Sequence, residues 1–283
     1  MADASPFLFS IDLEDVRSMI PYGHRTAERV PLLVGRYLEL LERLGVRCTF
    51  FTVGDVARRY PTLVRDLAAA GHEIACHGSD HVPLDRLGRA GFRADLARNL
   101  EDLANAGCGE VRGFRAPVHS LTERTRWAWE VMAELGIRYS SSVLPARHPL
   151  HGWPGFSREG SLTEPGVWEI PLSLSGVPGL DVPFASGVYL RALPFSLVRS
   201  LFRREIRSRR PVVGYAHPFD IDSEQDRFVH PELGGRRLYH HLMYWNRRGM
   251  LGRIDRLAAL GAPIIPYAEY VSRLASAAPE RSA

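Results

Sequence analysis

The sequence contains no lysine, because all 36 of its basic residues are arginine. This absence excludes mechanisms that need a lysine amine, including Schiff-base chemistry and phosphate binding by the lysine of a P-loop. The signatures of three other enzyme classes are missing as well. There is no G-x-S-x-G of serine hydrolases, no H-E-x-x-H of zincin proteases and no G-x-G-x-x-G of dinucleotide-binding enzymes.

Cysteine and long apolar runs are scarce. The three cysteines, Cys48, Cys76 and Cys108, show no C-x-x-C spacing, and the first two lie in apolar, strand-like runs, which predicts buried free thiols in a reducing compartment. No apolar run approaches the roughly 20 residues of a membrane-spanning helix. The N-terminal stretch has no basic region and Asp12 interrupts its apolar run, which favours a first strand over a signal peptide. The expected location is the cytoplasm.

Positive charge is concentrated in one part of the chain. Residues 191–256 hold 14 Arg against seven acidic residues, whereas the rest of the chain is slightly acidic. An arginine-rich face can contact phosphate groups or an anionic membrane surface. A solvated helical face in an arginine-rich protein explains the same pattern equally well. Nucleic acid is not an expected partner, and the oligomeric state is not indicated.

Short β-branched or aromatic runs alternate with amphipathic stretches along most of the chain. The predicted strands lie at 7–12, 48–53, 72–77, 111–115, 138–142, 167–172, 212–217 and 263–265. The predicted helices lie at 26–44, 55–70, 88–106, 122–135, 194–209 and 250–260. This alternation predicts a parallel sheet, and at 283 residues a closed or nearly closed α/β barrel is favoured over an open sheet.

One stretch interrupts the alternation. Residues 143–166 are rich in Pro, Gly and His, which predicts a long loop over one end of the barrel. Nothing in the composition marks a linker or an internal repeat. The sequence therefore predicts a single domain over residues 1–276, followed by a disordered tail at 277–283.

Ionisable residues stand at the ends of four predicted strands. Asp12 closes the first strand, His77 the third, Arg115 the fourth and His217 the strand at 212–217. In α/β barrels the functional site forms at the carboxyl ends of the strands, so these side chains are expected at one rim. Chance explains one such residue more easily than four.

A metal site is the chemistry that these residues suggest. His77 and His81 have H-x-x-x-H spacing, which lets two imidazoles on a helix or a turn share one ion. Alone the pair is a weak signal, since surface histidines often have this spacing. Together with a carboxylate from Asp12, Glu14 or Asp15 it forms a set that leaves coordination positions open for water and substrate. Zn suits two imidazoles and a carboxylate best, and Co, Ni, Mn and Fe are compatible.

Several other polar residues allow two interpretations. His119 either lines the site or lies in a solvated loop. Asp220 and Asp222 either orient the imidazole of His217 or cap the next helix. Six other histidines are expected at the surface or in a lid: His24, His148, His151, His230, His240 and His241.

Four segments together resemble the motifs of the polysaccharide deacetylase family, also called the NodB-homology family or carbohydrate esterase family 4. They are SIDLED at 10–15, with the D-x-D/E form of the first motif, CHGSDH at 76–81, GFRAP at 113–117 and YAHPFDID at 215–222. The resemblance covers roughly residues 7–270, and it is closest to a cytoplasmic branch associated with exopolysaccharide gene clusters. The family's fourth motif, usually a Trp-containing segment, has only PFASGVYLRALP at 183–194 in its place, without a Trp.

The resemblance implies a fold and an activity. The fold is a distorted (β/α)7 barrel of the NodB-homology type. The activity is metal-dependent removal of an N-acetyl or other N-acyl group from an amino sugar in a glycan, a lipid-linked intermediate or a nucleotide sugar. Alternatives are a deformylase of a lipid-linked amino sugar, which the arginine-rich 191–256 segment would suit, and a catalytically idle glycan-binding barrel. Metal-independent hydrolysis of a cyclic amide, as in allantoinases, is disfavoured by the retained histidine pair.

The resemblance also implies catalytic roles. Asp12 would be the general base, Arg115 would tether it, and His217 would be the general acid that protonates the departing amine. The amide of Val118 would contribute to the oxyanion hole.

The resemblance assigns the metal ligands less completely. It implies His77 and His81, with a third ligand that is Glu14 if the D-x-D spacing applies and Asp15 if the alignment is shifted. Glu14 is favoured, because strand periodicity places it on the same face as Asp12.

Overall fold

The computed structural model describes residues 5–20, 22–148, 150–177, 181–228 and 237–277. Its strands are β1 (Phe7–Leu13), β2 (Thr49–Thr52), β3 (Glu73–Cys76), β4 (Gly113–Phe114), β5 (Tyr139–Ser140), β6 (Ser161–Leu162), β7 (Trp168–Glu169) and β8 (Val212–Ala216). Its α-helices are α1 (Val30–Leu44), α2 (Gly54–Arg59), α3 (Pro61–Ala69), α4 (Leu84–Asn105), α5 (Ala128–Glu134), α6 (Gly187–Ala192), α7 (Phe195–Arg207), α8 (Arg237–Tyr244), α9 (Met250–Ala258) and α10 (Tyr267–Ala277).

The described strands form one curled sheet in the order β6-β7-β5-β4-β3-β2-β1-β8. Seven strands run parallel, and β6 is added antiparallel to β7 at one edge. Beyond β7 the chain reaches the opposite edge, where the amide of Ser173 donates to the carbonyl of Val213 at 3.2 Å. The amide of Val213 in turn donates to the hydroxyl of Ser173 at 2.9 Å. The predicted barrel with seven parallel strands is therefore confirmed.

Strand β1 shows how the sequence positions the site. It is buried along its whole length, as expected for a parallel strand covered on both faces. Its odd-numbered residues join the large core between the sheet and the helices: Phe7, Phe9, Ile11 and Leu13. Leu8 instead joins a smaller apolar cluster inside the barrel, together with Phe51 and Tyr139. Ser10 and Asp12 share the face of Leu8, so they bring polar groups to the inside of the barrel.

The structure differs from the sequence prediction at several elements. The predicted helix at 55–70 is two helices, because Pro61 begins α3 and Tyr60 before it has non-helical backbone. The predicted strand at 263–265 forms only a single bridge, between Ile264 and Phe7. Helices α6, α8 and α10 were not predicted, since each is at most 11 residues long and gives a weak periodic signal.

The predicted loop at 143–166 contains the two-residue strand β6 and no other strand or helix among its described residues. Trp153 anchors it, since its ring stacks on that of Trp129 with the ring centroids 5.7 Å apart. The predicted single domain stays a prediction. Of the predicted tail at 277–283, only residue 277 is described, and it ends α10.

The cysteines are free, with Cys48 and Cys76 buried and Cys108 partly buried, as the sequence predicted. Burial raises the pKa of both buried thiols well above the usual value. Among the residues that the structure describes, none of the helices has the length and apolar character that crossing a bilayer requires.

Candidate active site

The strand ends bring four predicted site residues to one rim of the barrel. Asp12 lies near the end of β1, and His77, Arg115 and His217 directly follow β3, β4 and β8. These strands run in the same direction, so they end on the same side of the sheet. Asp12, His77 and His217 line one cleft there, and Arg115 is fully buried against Asp12. The convergence predicted from the strand ends is therefore observed.

Three of the predicted metal ligands form a compact group. The ligand atoms of Glu14, His77 and His81 all lie within 4.8 Å of one another. Oε2 of Glu14 is 2.8 Å from Nε2 of His81 and 3.9 Å from Nε2 of His77. That oxygen is buried. A buried carboxylate oxygen that faces two imidazole nitrogens is a donor set that fits a divalent ion.

His77 is prepared for metal binding by its surroundings. Its Nδ1 lies 2.8 Å from the carbonyl of Arg115, which fixes the proton on Nδ1 and leaves the lone pair on Nε2. Burial, with His81 as a smaller cause, lowers the pKa of His77 to about 3. The imidazole is therefore neutral, which is the form that binds metal.

Asp15, the alternative third ligand, is engaged elsewhere. Its Oδ1 accepts a hydrogen bond from the amide of Arg17 at 2.9 Å, which caps the short 3-10 helix Val16–Met19. Its Oδ2 pairs with Arg59 at 2.9 Å. The structure thus places Glu14, rather than Asp15, beside the two histidines.

Arg115 holds Asp12 in one orientation. Its Nη1 donates to Oδ1 of Asp12, while Oδ2 of Asp12 faces Nε2 of His77 at 3.8 Å. The remaining donors of this fully buried guanidinium bind the hydroxyl of Ser10, the carbonyl and hydroxyl of Ser141 and the hydroxyl of Tyr267. These three partners were missed by the sequence reasoning, and since each belongs to a different part of the chain, no local signal marks them.

Asp220 has both of the roles that the sequence left open, because it lies beside the His217 imidazole and also accepts from the amide of His217 at 2.9 Å, which caps the short 3-10 helix Pro218–Ile221. Its Oδ2 lies 2.8 Å from Nδ1 of His217, and its Oδ1 accepts from Nε of the fully buried Arg191 at 2.8 Å. Asp222 instead pairs with Arg29. Asp220 therefore orients the imidazole and directs its Nε2 into the cleft, 3.5 Å from Oε1 of Glu14.

The charges around His217 favour its protonated form. Burial by itself would lower the pKa of this histidine, but the carboxylates of Glu14 and Asp220 outweigh burial and raise the pKa to about 9. Burial would likewise raise the pKa of Asp220, yet Arg191 and His217 outweigh it and lower that pKa far below the usual value.

The segment at 183–194, which takes the place of the family's Trp-containing motif, lies beside this histidine. It supplies Arg191 to Asp220. A Cβ atom at Gly187 would lie 3.6 Å from both the His217 ring and the Asp220 carboxylate, which shows how closely the backbone passes. An arginine that supports the partner of His217 therefore stands where a tryptophan was expected.

The chain turns sharply after Arg115. Val118 and His119 both have left-handed backbone, with φ of 49° and 52°. A left-handed β-branched residue is a true outlier, and such strain concentrates at binding and catalytic sites. Both residues line the cleft, so His119 is a site residue rather than a solvated loop residue. The oxyanion role of Val118 stays a prediction.

The rest of the cleft is largely aromatic and aliphatic. Its wall includes Leu144, Leu150, Tyr189, Tyr215 and Phe219. Leu144, Leu150 and His148 come from the predicted loop at 143–166, which confirms that this loop borders one end of the barrel. His148, which the sequence reasoning placed at the surface or in a lid, is one of the cleft residues.

Comparisons with known proteins relate two parts of the chain to known domain families. A model of the polysaccharide deacetylase family matches residues 29–140, and a second model, of a domain of unknown function (DUF3473), matches residues 141–261. The chain is 35% identical over 92 residues to a chitooligosaccharide deacetylase from Sinorhizobium fredii, which is 31% of this chain and 41% of that protein. It is 28% identical over 97 residues to a peptidoglycan-N-acetylglucosamine deacetylase from Bacillus cereus, which is 34% of this chain and 35% of that protein. The matches thus span less than half the length of these relatives.

The fold is shared over a greater length. A crystal structure of a protein from Mycobacterium smegmatis, assigned as a polysaccharide deacetylase, superposes with a TM-score of 0.63 at 19% identity, covering 100% of this chain and 96% of that one. At this identity the likeness shows the fold alone. With the match to the family model and the named relatives, it leads to one conclusion: residues 29–140 match a polysaccharide deacetylase domain, in a chain whose fold resembles that of the Mycobacterium smegmatis protein.

Proposed function

We propose that this protein is a metal-dependent hydrolase that removes the N-acetyl group from an amino sugar in a glycan, a lipid-linked intermediate or a nucleotide sugar. The observation that carries this proposal is the group formed by Glu14, His77 and His81, with Asp12 and His217 on either side of it. The names of the two relatives, which act on chitooligosaccharides and on peptidoglycan N-acetylglucosamine, support an N-acetylated sugar as the substrate class.

The ion would be held by Glu14, His77 and His81. Zn suits these donors best, and Co, Ni, Mn and Fe are compatible. When bound, a divalent ion supplies Lewis acidity that polarises the acyl carbonyl and activates water.

The residues of the chain account for the proton transfers. Asp12, held by Arg115, takes a proton from water as the water oxygen adds to the acyl carbon. The amide of Val118 donates to the carbonyl oxygen as negative charge develops there. When the C–N bond breaks, Nε2 of His217 gives its proton to the departing nitrogen, which yields acetate and the free amine. The carboxylate of Asp220 at Nδ1 supports this role, because it orients the imidazole and favours its protonated form.

The arginine-rich segment at 191–256 has two parts with different surroundings. Arg191 and Arg247 are buried, whereas α7 carries an exposed row of arginines at four-residue spacing: Arg199, Arg203 and Arg207. The exposed row is where we propose contact with a membrane surface or with a phosphate-bearing substrate. The cytoplasm remains the proposed location.

The proposal is tested by acetate and formate release from N-acetylated and N-formylated amino sugars, with purified protein and a panel of divalent ions. We expect acetate release that depends on one ion per chain and that is lost in His77→Ala. His241→Ala is the matched control, because His241 is an exposed histidine outside the cleft. Full activity of His77→Ala without a stoichiometric ion would overturn the proposal. Formate release alone would favour the deformylase alternative, and a bound ion without turnover would favour the glycan-binding one.

A further inference from the structure

His119 has a position in the cleft that the proposed mechanism does not use. The left-handed turn at Val118 and His119 places the imidazole in the cleft wall, where it is 8% exposed. Its ring packs against that of Tyr215, with the centroids 5.1 Å apart, and Tyr215 in turn contacts the ring of His217 at the same distance. A polar group therefore lies in the cleft wall, separated from the candidate acid by the ring of Tyr215.

The two ring nitrogens of His119 differ in their surroundings. Nδ1 is completely enclosed and has no hydrogen-bond partner among the described residues. Nε2 is not enclosed in this way and has no protein partner in the described parts of the chain either, so it is the nitrogen that the cleft can reach. Since an orphaned buried donor is rarer than an under-satisfied acceptor, the enclosed Nδ1 is better suited to the lone pair than to the proton. This assigns the N–H to Nε2.

The neutral state of the ring agrees with this assignment. Burial lowers the pKa of His119 to about 3, and the nearby cation of Arg115 is the second cause of this shift. The ring is then a neutral donor with one N–H, and it cannot serve as a second general acid at neutral pH.

We propose that His119 is a substrate-binding residue, whose Nε2–H donates a hydrogen bond to a hydroxyl oxygen of the sugar unit that carries the acyl amide. This inference rests on the proposed function. A hydroxyl is favoured over the acyl oxygen because the Val118 amide already serves the acyl oxygen in that mechanism. The aromatic ring of Tyr215 beside the donor suits a pyranose, which has hydroxyls at its edge and C–H groups on its faces.

Binding can be measured separately from catalysis. The probe is tetra-N-acetylchitotetraose, titrated by calorimetry into the full chain that carries Asp12→Asn, so that hydrolysis does not interfere. Adding His119→Phe keeps a ring against Tyr215 and removes both nitrogens, and we expect about tenfold weaker binding, as for one neutral hydrogen bond. His119→Gln, whose amide reaches the position of Nε2, is expected to restore most of the affinity. His119→Asn, whose amide is too short, is expected to bind as weakly as His119→Phe.

The control and the kinetics separate this inference from the proposed function. His241→Phe, at an exposed site outside the cleft, should bind like the parent. In the active protein, His119→Phe should raise KM about tenfold with kcat within about twofold. Parental affinity in His119→Phe or His119→Asn, absence of binding by the parent, or a fall in kcat at unchanged KM would overturn the inference. A different result, the absence of acyl release from the unmodified protein, would overturn the proposed function.

Discussion

Glu14 and Asp15 are adjacent carboxylates in very different surroundings. Glu14 continues the inner face of β1 and meets the two histidines, whereas Asp15 caps a turn and pairs with Arg59. The alternation of side chains near the end of a strand separates the two residues. The preference for Glu14 could therefore be predicted, but the partners that occupy Asp15 could not.

Metal affinity distinguishes the two carboxylates. We expect Glu14→Gln to weaken binding of Zn by about 100-fold or more, because it removes one ligand charge from a three-residue set. Asp15→Asn should keep the ion and lower the free energy of unfolding by about 1–2 kcal/mol through the weakened cap and ion pair. Calorimetric metal titration and denaturant unfolding measure the two effects. Loss of the ion in Asp15→Asn alone would reverse the assignment.

Asp220 is expected to matter for turnover rather than for metal binding. Asp220→Asn removes the charge that orients and protonates His217, so kcat should fall by about 10–100-fold at unchanged metal content. Asp226→Asn is the matched control, since Asp226 is exposed and is a short distance along the same chain segment. Equal kcat values for the two variants would show that His217 does not depend on Asp220.

At the scale of elements, α4 supports the histidine pair. Along one side of this helix, Asp95 accepts from the amide of Ser79 at 3.0 Å, and Asn99 accepts from the amide of His77 at 3.0 Å. The 77–81 segment itself is a turn, with His81 in left-handed conformation, rather than a helix. From the sequence, either a helix or a turn could carry the histidine pair. Periodicity predicted most of α4, but it did not predict the polar contacts that this helix makes.

Loss of the Asn99 contact should affect both folding and metal binding. Asn99 is fully buried, and its amide also donates to the carbonyl of Thr52 at 3.3 Å. Asn99→Ala leaves the amide of His77 with a single acceptor, so we expect unfolding to become easier by about 1–3 kcal/mol and metal affinity to fall by about tenfold. Asn105→Ala, at the exposed end of the same helix, is the control. Unchanged metal affinity in a folded Asn99→Ala protein would contradict a positioning role.

At the scale of the whole molecule, buried neutral histidines link stability to pH. His72 is 7% exposed, and its Nδ1 accepts a hydrogen bond from the amide of Cys48 at 3.3 Å. Burial, with Arg47 as a smaller cause, lowers its pKa to about 4 from the ordinary 6.5. The unfolded chain therefore binds a proton more readily than the folded one. The stabilising contribution is complete above pH 6.5 and is lost as the pH falls from 6.5 to 4.

His72→Asn tests this link, because an asparagine oxygen, near the position of Nδ1, can accept from the amide of Cys48 without titrating. We expect the decline in unfolding free energy between pH 6.5 and 4 to be smaller in the variant by about 2 kcal/mol, allowing for partial solvent screening. Denaturant titrations across this range measure it. Other buried histidines, including His119, also make the unfolding free energy depend on pH, so part of the decline remains in both proteins. Parallel pH profiles would show that His72 does not contribute.

By itself, the sequence determined the alternation of strands and helices, the ionisable residues at four strand ends and the H-x-x-x-H pair. These features are local, because burial periodicity and strand ends are read within a few residues. Only the tertiary structure decided which distant groups meet. Arg115 binds Ser10 and Tyr267, which are 105 and 152 residues away along the chain, and Arg191 reaches Asp220 from another element. Such contacts depend on strand order and on the curl of the sheet, and neither leaves a local pattern in the sequence.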